Sequence, residues 1–144
     1  MSPGLHAAAA VDGGSRGNPG DAGCGIVLEV AGRRELHTLY LGTATNNVAE
    51  YAALLAALER ARSLGVETLA VKSDSELLVR QMKGTYKVKA AHLKPLWLRA
   101  RVLAAGFRRF GISHVAREAN RTADQLANRA MDDHVSTLPR PEGV

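Results

Sequence analysis

The chain has 144 residues, 46% of them apolar, with 19 Lys and Arg against 14 Asp and Glu. This length suits one domain with a real core, and the composition excludes the disordered class of low hydrophobicity and high charge. The formal net charge of +5 is compatible with a polyanionic partner, nucleic acid or an acidic membrane, although many soluble domains share it. The single cysteine, Cys24, cannot close an internal disulfide, and no zinc-type Cys/His spacing exists. The N-terminus "MSPGLHAAAAV" has no basic residues ahead of its short apolar run, so it does not read as a secretory signal. No apolar run reaches the roughly 18 residues that a membrane span needs. The expectation is a cytoplasmic, monomeric protein of one domain, 1–144, with a core over about 5–134 and a frayed tail over 135–144.

In chain order, residues 5–11 predict a short strand, and 22–30 and 35–41 alternate apolar and polar residues as two more. The turn signal "AGRR" between the latter two predicts an antiparallel hairpin. Cys24 belongs to this alternation, which makes it a packed strand residue. The segment "TNNVAEYAALLAALERARSLG" predicts a helix with Asn46 or Asn47 as N-cap and Gly65 as stop. Its apolar stripe is Leu54, Leu55, Leu58, Ala61 and Leu64. A fourth strand covers 67–72, and a second helix begins in "SDSELLVRQMKG" with Ser73 or Asp74 near its cap. A third helix follows Pro95 and ends near Gly106; Trp97 sits in it among leucines, as a packing residue. "GISHVA" at 111–116 is a fifth strand, and Asn120 caps a last helix through "NRTADQLANRAMDDHV". The order βββαβααβα predicts an α/β fold, a mixed sheet flanked by helices.

Four acids occupy unusual places. Asp12 ends the first strand ahead of "GGSRGNPG", and Asp74 ends the fourth. Glu50 lies in the first turn of the first helix and shares a face with Leu54, Ala57, Leu58 and Ala61, so it points toward the sheet. Asp124 lies in the first turn of the last helix, where periodicity fits an exposed acid and an inward one equally well. Read singly, Asp12 is an Asp–Gly turn residue, Asp74 an N-cap, and Glu50 an acid favoured by the helix dipole. Together they converge, because two strand ends and two helix starts can share one edge of a sheet. Clustered carboxylates without His or Cys are hard oxygen ligands suited to Mg²⁺ or Mn²⁺. Two such ions about 3.5–4 Å apart can clamp the attacking and leaving oxygens of a phosphodiester. The glycine-rich stretch would let backbone approach the ligand closely, and it lacks the Gly-Lys-Ser/Thr of a P-loop.

The motifs "DGGSRGNPG", "TNNVAEYAALLAAL", "SDSELLV" and "REANRTADQLAN", in this order over about residues 5–134, resemble ribonuclease HI. The resemblance implies a five-stranded mixed sheet in the order 3-2-1-4-5. It implies hydrolysis of the RNA strand of RNA–DNA hybrids by two divalent metals, leaving 5′-phosphate and 3′-hydroxyl ends. Asp12, Glu50, Asp74 and Asp124 match the family's metal-binding acids. Asp12 would bridge both ions, with Glu50 and Asp74 on one and Asp124 on the other. Gly13, Asn18 and Asn46 match the groups that read the RNA 2′-hydroxyls, and Thr45 a contact to a DNA phosphate. Glu76 stands where many members have glutamine, so it accepts but does not donate.

Three departures follow. The basic protrusion of some members is missing; Lys83, Lys87, Lys89 and Lys94 are either phosphate contacts or a solvated face, with Tyr86 near a base or sugar. The loop bearing a mobile histidine is compressed, so His114 is a strand residue and Arg117 or Glu118 stands near the site instead. No hybrid-binding domain precedes Asp12 in this sequence. The pattern is that of a shorter bacterial and archaeal branch, some members of which also cut double-stranded RNA. The alternatives are a nuclease of that broader specificity and a non-catalytic nucleic-acid-binding module.

Overall fold

The computed structural model describes residues 4–144. Its strands are β1 (Leu5–Gly17), β2 (Gly20–Val30), β3 (Arg33–Ala44), β4 (Val66–Ser73) and β5 (Arg109–His114). Its helices are α1 (Asn46–Ser63), α2 (Glu76–Lys83), α3 (Lys94–Ala105) and α4 (Arg121–Asp133), the last preceded by a 3-10 turn at Arg117–Asn120. The sheet runs β3-β2-β1-β4-β5, with β1–β2 and β2–β3 antiparallel and β1–β4 and β4–β5 parallel. This is the ribonuclease H-like order that the motifs imply. No helix among the described residues is long and apolar enough to cross a membrane.

Strand alternation sends Ala7, Ala9 and Val11 into the main core, while Ala8, Ala10 and Asp12 face the other way. The main core lies between the sheet and α1. Burial extends beyond the expected stripe of α1: Tyr51, Ala52, Ala53, Ala56 and Ala57 are buried too. The cause is α3, which packs on the outer side of α1 through Leu96, Ala100, Leu103 and Ala104 and covers its middle, leaving only its ends exposed. Trp97 is a packing residue as expected; it is partly buried and its Nε1 donates to the Gln81 carbonyl at 3.0 Å. Cys24 is fully buried, with its thiol donating to the Ala49 carbonyl.

The opposite face meets α4 in another way. A Cβ on Gly25 would lie 2.0 Å from the Ala123 carbonyl oxygen, and one on Gly23 would lie 2.9 Å from the Ala130 Cβ. Glycines on β2 and alanines on α4 therefore bring helix and sheet backbones into direct contact.

The structure changes the expected glycine loop, the expected tail and the expected helix caps. The glycine-rich stretch is strand, not loop: β1 continues to Gly17 and pairs with β2 through Gly17↔Gly20. Residues 135–144, expected to fray, are docked. Thr137 N–H donates to the Thr38 carbonyl (2.8 Å), its hydroxyl accepts from Thr38 N–H (3.0 Å), and Ser136 Oγ accepts from Tyr40 N–H (2.9 Å). Arg140 donates to the Leu41 carbonyl at 2.9 Å, and Leu138 and Val144 pack on the core. An edge strand offers unpaired backbone groups, and the hydroxyls of "STLPRP" take them. The caps also move. Thr45 caps α1 by accepting from Val48 N–H, and Ser75 caps α2 by accepting from Leu78 N–H. Asn120 precedes α4 but makes no side-chain cap bond.

Candidate active site

The carboxylates gather where β4 ends and β1 runs on paired with β2 alone. Asp12, expected at the end of its strand, lies inside β1: it pairs with Gly25 of β2 just past the last β1–β4 pair, Val11↔Ser73, and is 8% exposed. Asp74 follows β4 directly. Because Ser75 supplies the α2 cap, the Asp74 carboxylate is not consumed as one. Glu50 reaches the same point from the first turn of α1. A Cβ on Gly13 would lie 2.2 Å from the Ala49 carbonyl oxygen, so only glycine lets β1 approach the start of α1 this closely. Gly13 N–H then donates to Glu50 Oε1 at 3.2 Å.

One oxygen from each of Asp12, Glu50 and Asp74 lies within 4.8 Å of the others. Asp124, in the first turn of α4, lines the same cleft and acts on Asp12 by charge, although it is not among the three acids whose oxygens meet within 4.8 Å. Burial, then the charges of Asp74 and Asp124, push the Asp12 carboxyl up to about 8. Burial and the Asp12 charge raise Glu50 well above the usual carboxylate range, against the opposing Gly13 N–H. Glu50 Oε2 is buried with no hydrogen-bond partner. A cluster of this kind is unfavourable without cations, and the unpartnered, buried Glu50 Oε2 fits a hard cation as its partner. The donor set is oxygen alone, which fits Mg²⁺ or Mn²⁺.

The acids line an open cleft of about 430 Å³ together with Gly13, Ser15, Asn46, Asn47, Arg117 and Asn128. Of the expected substrate-binding residues, Gly13 and Asn46 line it. Asn46 Oδ1 accepts from Ser15 N–H at 2.7 Å, and Asn18 Oδ1 accepts from Asn46 N–H at 3.1 Å. Both asparagines thus clip the β1–β2 hairpin to the start of α1 through their oxygens, leaving their amide N–H groups to donate. Thr45 sits beside them as the α1 cap. Glu76 is exposed and pairs with Arg80 at 2.6 Å, outside the cleft. Arg117 reaches Asp124 at 3.5 Å, whereas Glu118 lines a separate groove of about 490 Å³ between α4, β1 and β4. Ser15, Asn47 and Asn128 are site residues that sequence reasoning missed. Asn128 alone left a signal: it lies four residues past Asp124, and its amide donates to the Asp124 carbonyl.

The model of the reverse transcriptase-like family matches residues 10–130, the span that holds the mixed sheet, the acid within β1 and the acid just after β4. The bifunctional protein Rv2228c of Mycobacterium tuberculosis is 48% identical over 124 residues, 84% of this chain. The chain spans 34% of that protein's length. Ribonuclease HI of Halobacterium salinarum is 44% identical over 125 residues, 85% of this chain and 62% of the archaeal protein. The solved LC11-RNase H1, in complex with an RNA/DNA hybrid, superimposes with a TM-score of 0.83 at 39% identity, covering 90% of this chain and 99% of that one. The chain belongs to the type 1 ribonuclease H family of nucleases.

Proposed function

We propose that this chain hydrolyses the RNA strand of RNA–DNA hybrids, with two divalent cations held by Asp12, Glu50, Asp74 and Asp124. The observation that carries the reading is the cluster of Asp12, Glu50 and Asp74 oxygens within 4.8 Å, one member of which keeps a buried, unpartnered oxygen. Similarity to an RNase H1 that holds a hybrid supports the substrate. When bound, Mg²⁺ or Mn²⁺ supplies the Lewis acidity that activates a water and neutralises charge at phosphorus.

The chain's own residues prepare for this. Asp12, beside Glu50, Asp74 and Asp124, would release its proton to hold the cations, with Glu50, Asp74 and Asp124 supplying the other carboxylate oxygens. Gly13 N–H fixes Glu50 so that Oε2 faces inward. A new bond forms from the water oxygen to phosphorus and the bond to the 3′-oxygen breaks. The water yields one proton, the 3′-oxygen takes one, and 5′-phosphate and 3′-hydroxyl ends result. To the amide N–H groups of Asn18 and Asn46 and the Gly13 backbone we assign the reading of a 2′-hydroxyl, and to Thr45 a contact with a DNA phosphate; the cleft position of Gly13 and Asn46 supports the first assignment. Arg117, at 3.5 Å from Asp124, is the auxiliary residue in place of a loop histidine; Glu118 has no such placement. A monomer acting in the cytoplasm completes the reading.

The test is incubation with a labelled RNA–DNA hybrid, with RNA and DNA duplexes alongside, in Mg²⁺, Mn²⁺ and EDTA. Loss of the RNA strand of the hybrid in metal only, abolished by Asp12→Asn, is the expected result. Cleavage of the RNA duplex as well would widen the substrate class. Binding of the hybrid without turnover in either metal would leave a nucleic-acid-binding module and overturn the proposal.

A further inference from the structure

Asn120 stands between the 3-10 turn and α4, four residues before Asp124, and is 2% exposed. An asparagine there normally accepts a hydrogen bond from the first turn of its helix. Asn120 does not. Its Nδ2 donates to the Val11 carbonyl at 2.9 Å, and its Oδ1 is buried without a partner. A buried, half-satisfied amide that forgoes capping costs stability. Its position is informative: Val11 immediately precedes Asp12 and forms the last β1–β4 pair, Val11↔Ser73.

The other buried contacts of α4 with the sheet are apolar, glycine and alanine backbone against small side chains; its polar ones, Arg34 to Thr122 and Arg16 to Asp132, are exposed and made by long arginine side chains that can follow a sliding helix. Such contacts set how closely the helix approaches, but they are not directional and do not fix its position along its axis. A hydrogen bond is directional. A slide of one residue along α4 would move Asp124 by about 1.5 Å, well beyond the roughly 0.5 Å that a binding constellation tolerates.

We propose that Asn120 is a positioning residue: its amide ties the strand bearing Asp12 to the helix bearing Asp124 and so sets the affinity for the cation that Asp124 helps to hold. The inference rests on the two-cation reading of the four acids. Asn120 touches neither substrate nor ion; it acts through Val11.

Calorimetric titration of the full chain with Mn²⁺ tests it. Asp124→Asn identifies which of the two binding steps depends on Asp124. Asn120→Ala should weaken that same step about tenfold or more, as loss of an outer partner does elsewhere, and leave the other step unchanged. The Mg²⁺ concentration for half-maximal cleavage should rise in parallel, with the rate at saturating Mg²⁺ largely kept. Leu126→Ala, which loosens α4 packing without touching the tether, should lower the melting temperature but shift neither step. If Asn120→Ala does not fold, Asn120→Ser, which leaves a smaller void, is titrated in its place. Unchanged steps in a folded Asn120 variant, or the same shift in Leu126→Ala, overturn the tether alone. Absence of Mn²⁺ binding by the wild type overturns the two-cation site and the tether with it.

Discussion

The two helices flanking the central strands meet the sheet by opposite means. α1 presents leucines, Tyr51 and alanines and is buried almost all round, with α3 behind it. α4 presents Ala123, Ala127, Ala130 and Met131 to the glycines of β2, backbone against backbone. The first contact is large and supplies most of the buried apolar surface. The second shares only a small apolar cluster, Ala10, Val27 and Ala123 with Leu126, yet it brings Asp124 toward Asp12. Stability is concentrated on one side of the sheet, and proximity of charged groups is built on the other. A cluster of like charges opposes folding, so it needs an attachment that is close and specific rather than merely apolar.

Asp12→Asn probes the contrast with the largest effect. Metal-dependent cleavage is expected to vanish while the apo protein, relieved of one buried carboxylate, melts higher in EDTA; nuclease assay and thermal melting check both. Leu54→Ala, in the fully buried part of α1, should cost about 2–5 kcal/mol by urea unfolding, with specific activity retained by molecules that remain folded. Gly25→Ala should show the reverse balance. Its Cβ would meet the Ala123 carbonyl at 2.0 Å and must push α4 away. A loss of about 1–3 kcal/mol is expected, with a larger proportional loss of cleavage and of Mn²⁺ affinity.

Smaller effects come from pH. Asp12 holds its proton up to about 8 in the folded chain against 3.8 when unfolded. Between those values the folded state binds more protons, so stability is full below about 4 and falls as pH rises toward 8. Melting in EDTA from pH 5 to pH 8 should show that fall, and saturating Mg²⁺ should reverse it, because the cations then take the proton's place. Glu35 behaves oppositely. Hydrogen bonds from Arg60 at 2.9 and 2.8 Å, and from His37, hold it at about 2. Its contribution is present above its ordinary value of 4.5 and lost as pH falls from there to about 2. Glu35→Gln should cost about 0.5–1 kcal/mol at neutral pH and flatten the acid limb of the stability curve, with cleavage untouched.

Much of the site was legible before any coordinates. Glu50 announced itself by sharing a face with Leu54, Leu58 and Ala61, since helical periodicity is local. Asp74 did so by standing at a strand end; Asp12 was expected at one too, but β1 runs past it to Gly17 because β2 stays paired with it. What stayed hidden depended on partners distant in the chain. The expected loop at "GGSRG" is strand because β2 and α1 lie against it, and no local propensity carries that information. The tail docks because β3 is an edge. Asp74 could not be told from an N-cap until Ser75 was seen in that role.

The sequence by itself determined the order of the elements, the identity of the four acids and the oxygen-only character of their site, because periodicity, punctuation and ligand chemistry are properties of short stretches. The tertiary structure decided what depends on distance. It set which acid is buried, which oxygen of Glu50 lacks a partner, and that Asn120 spends its amide on Val11 rather than on its own helix. Those outcomes follow from how closely backbones approach, and the glycines and alanines that permit the approach reveal their purpose only when the surface facing them is known.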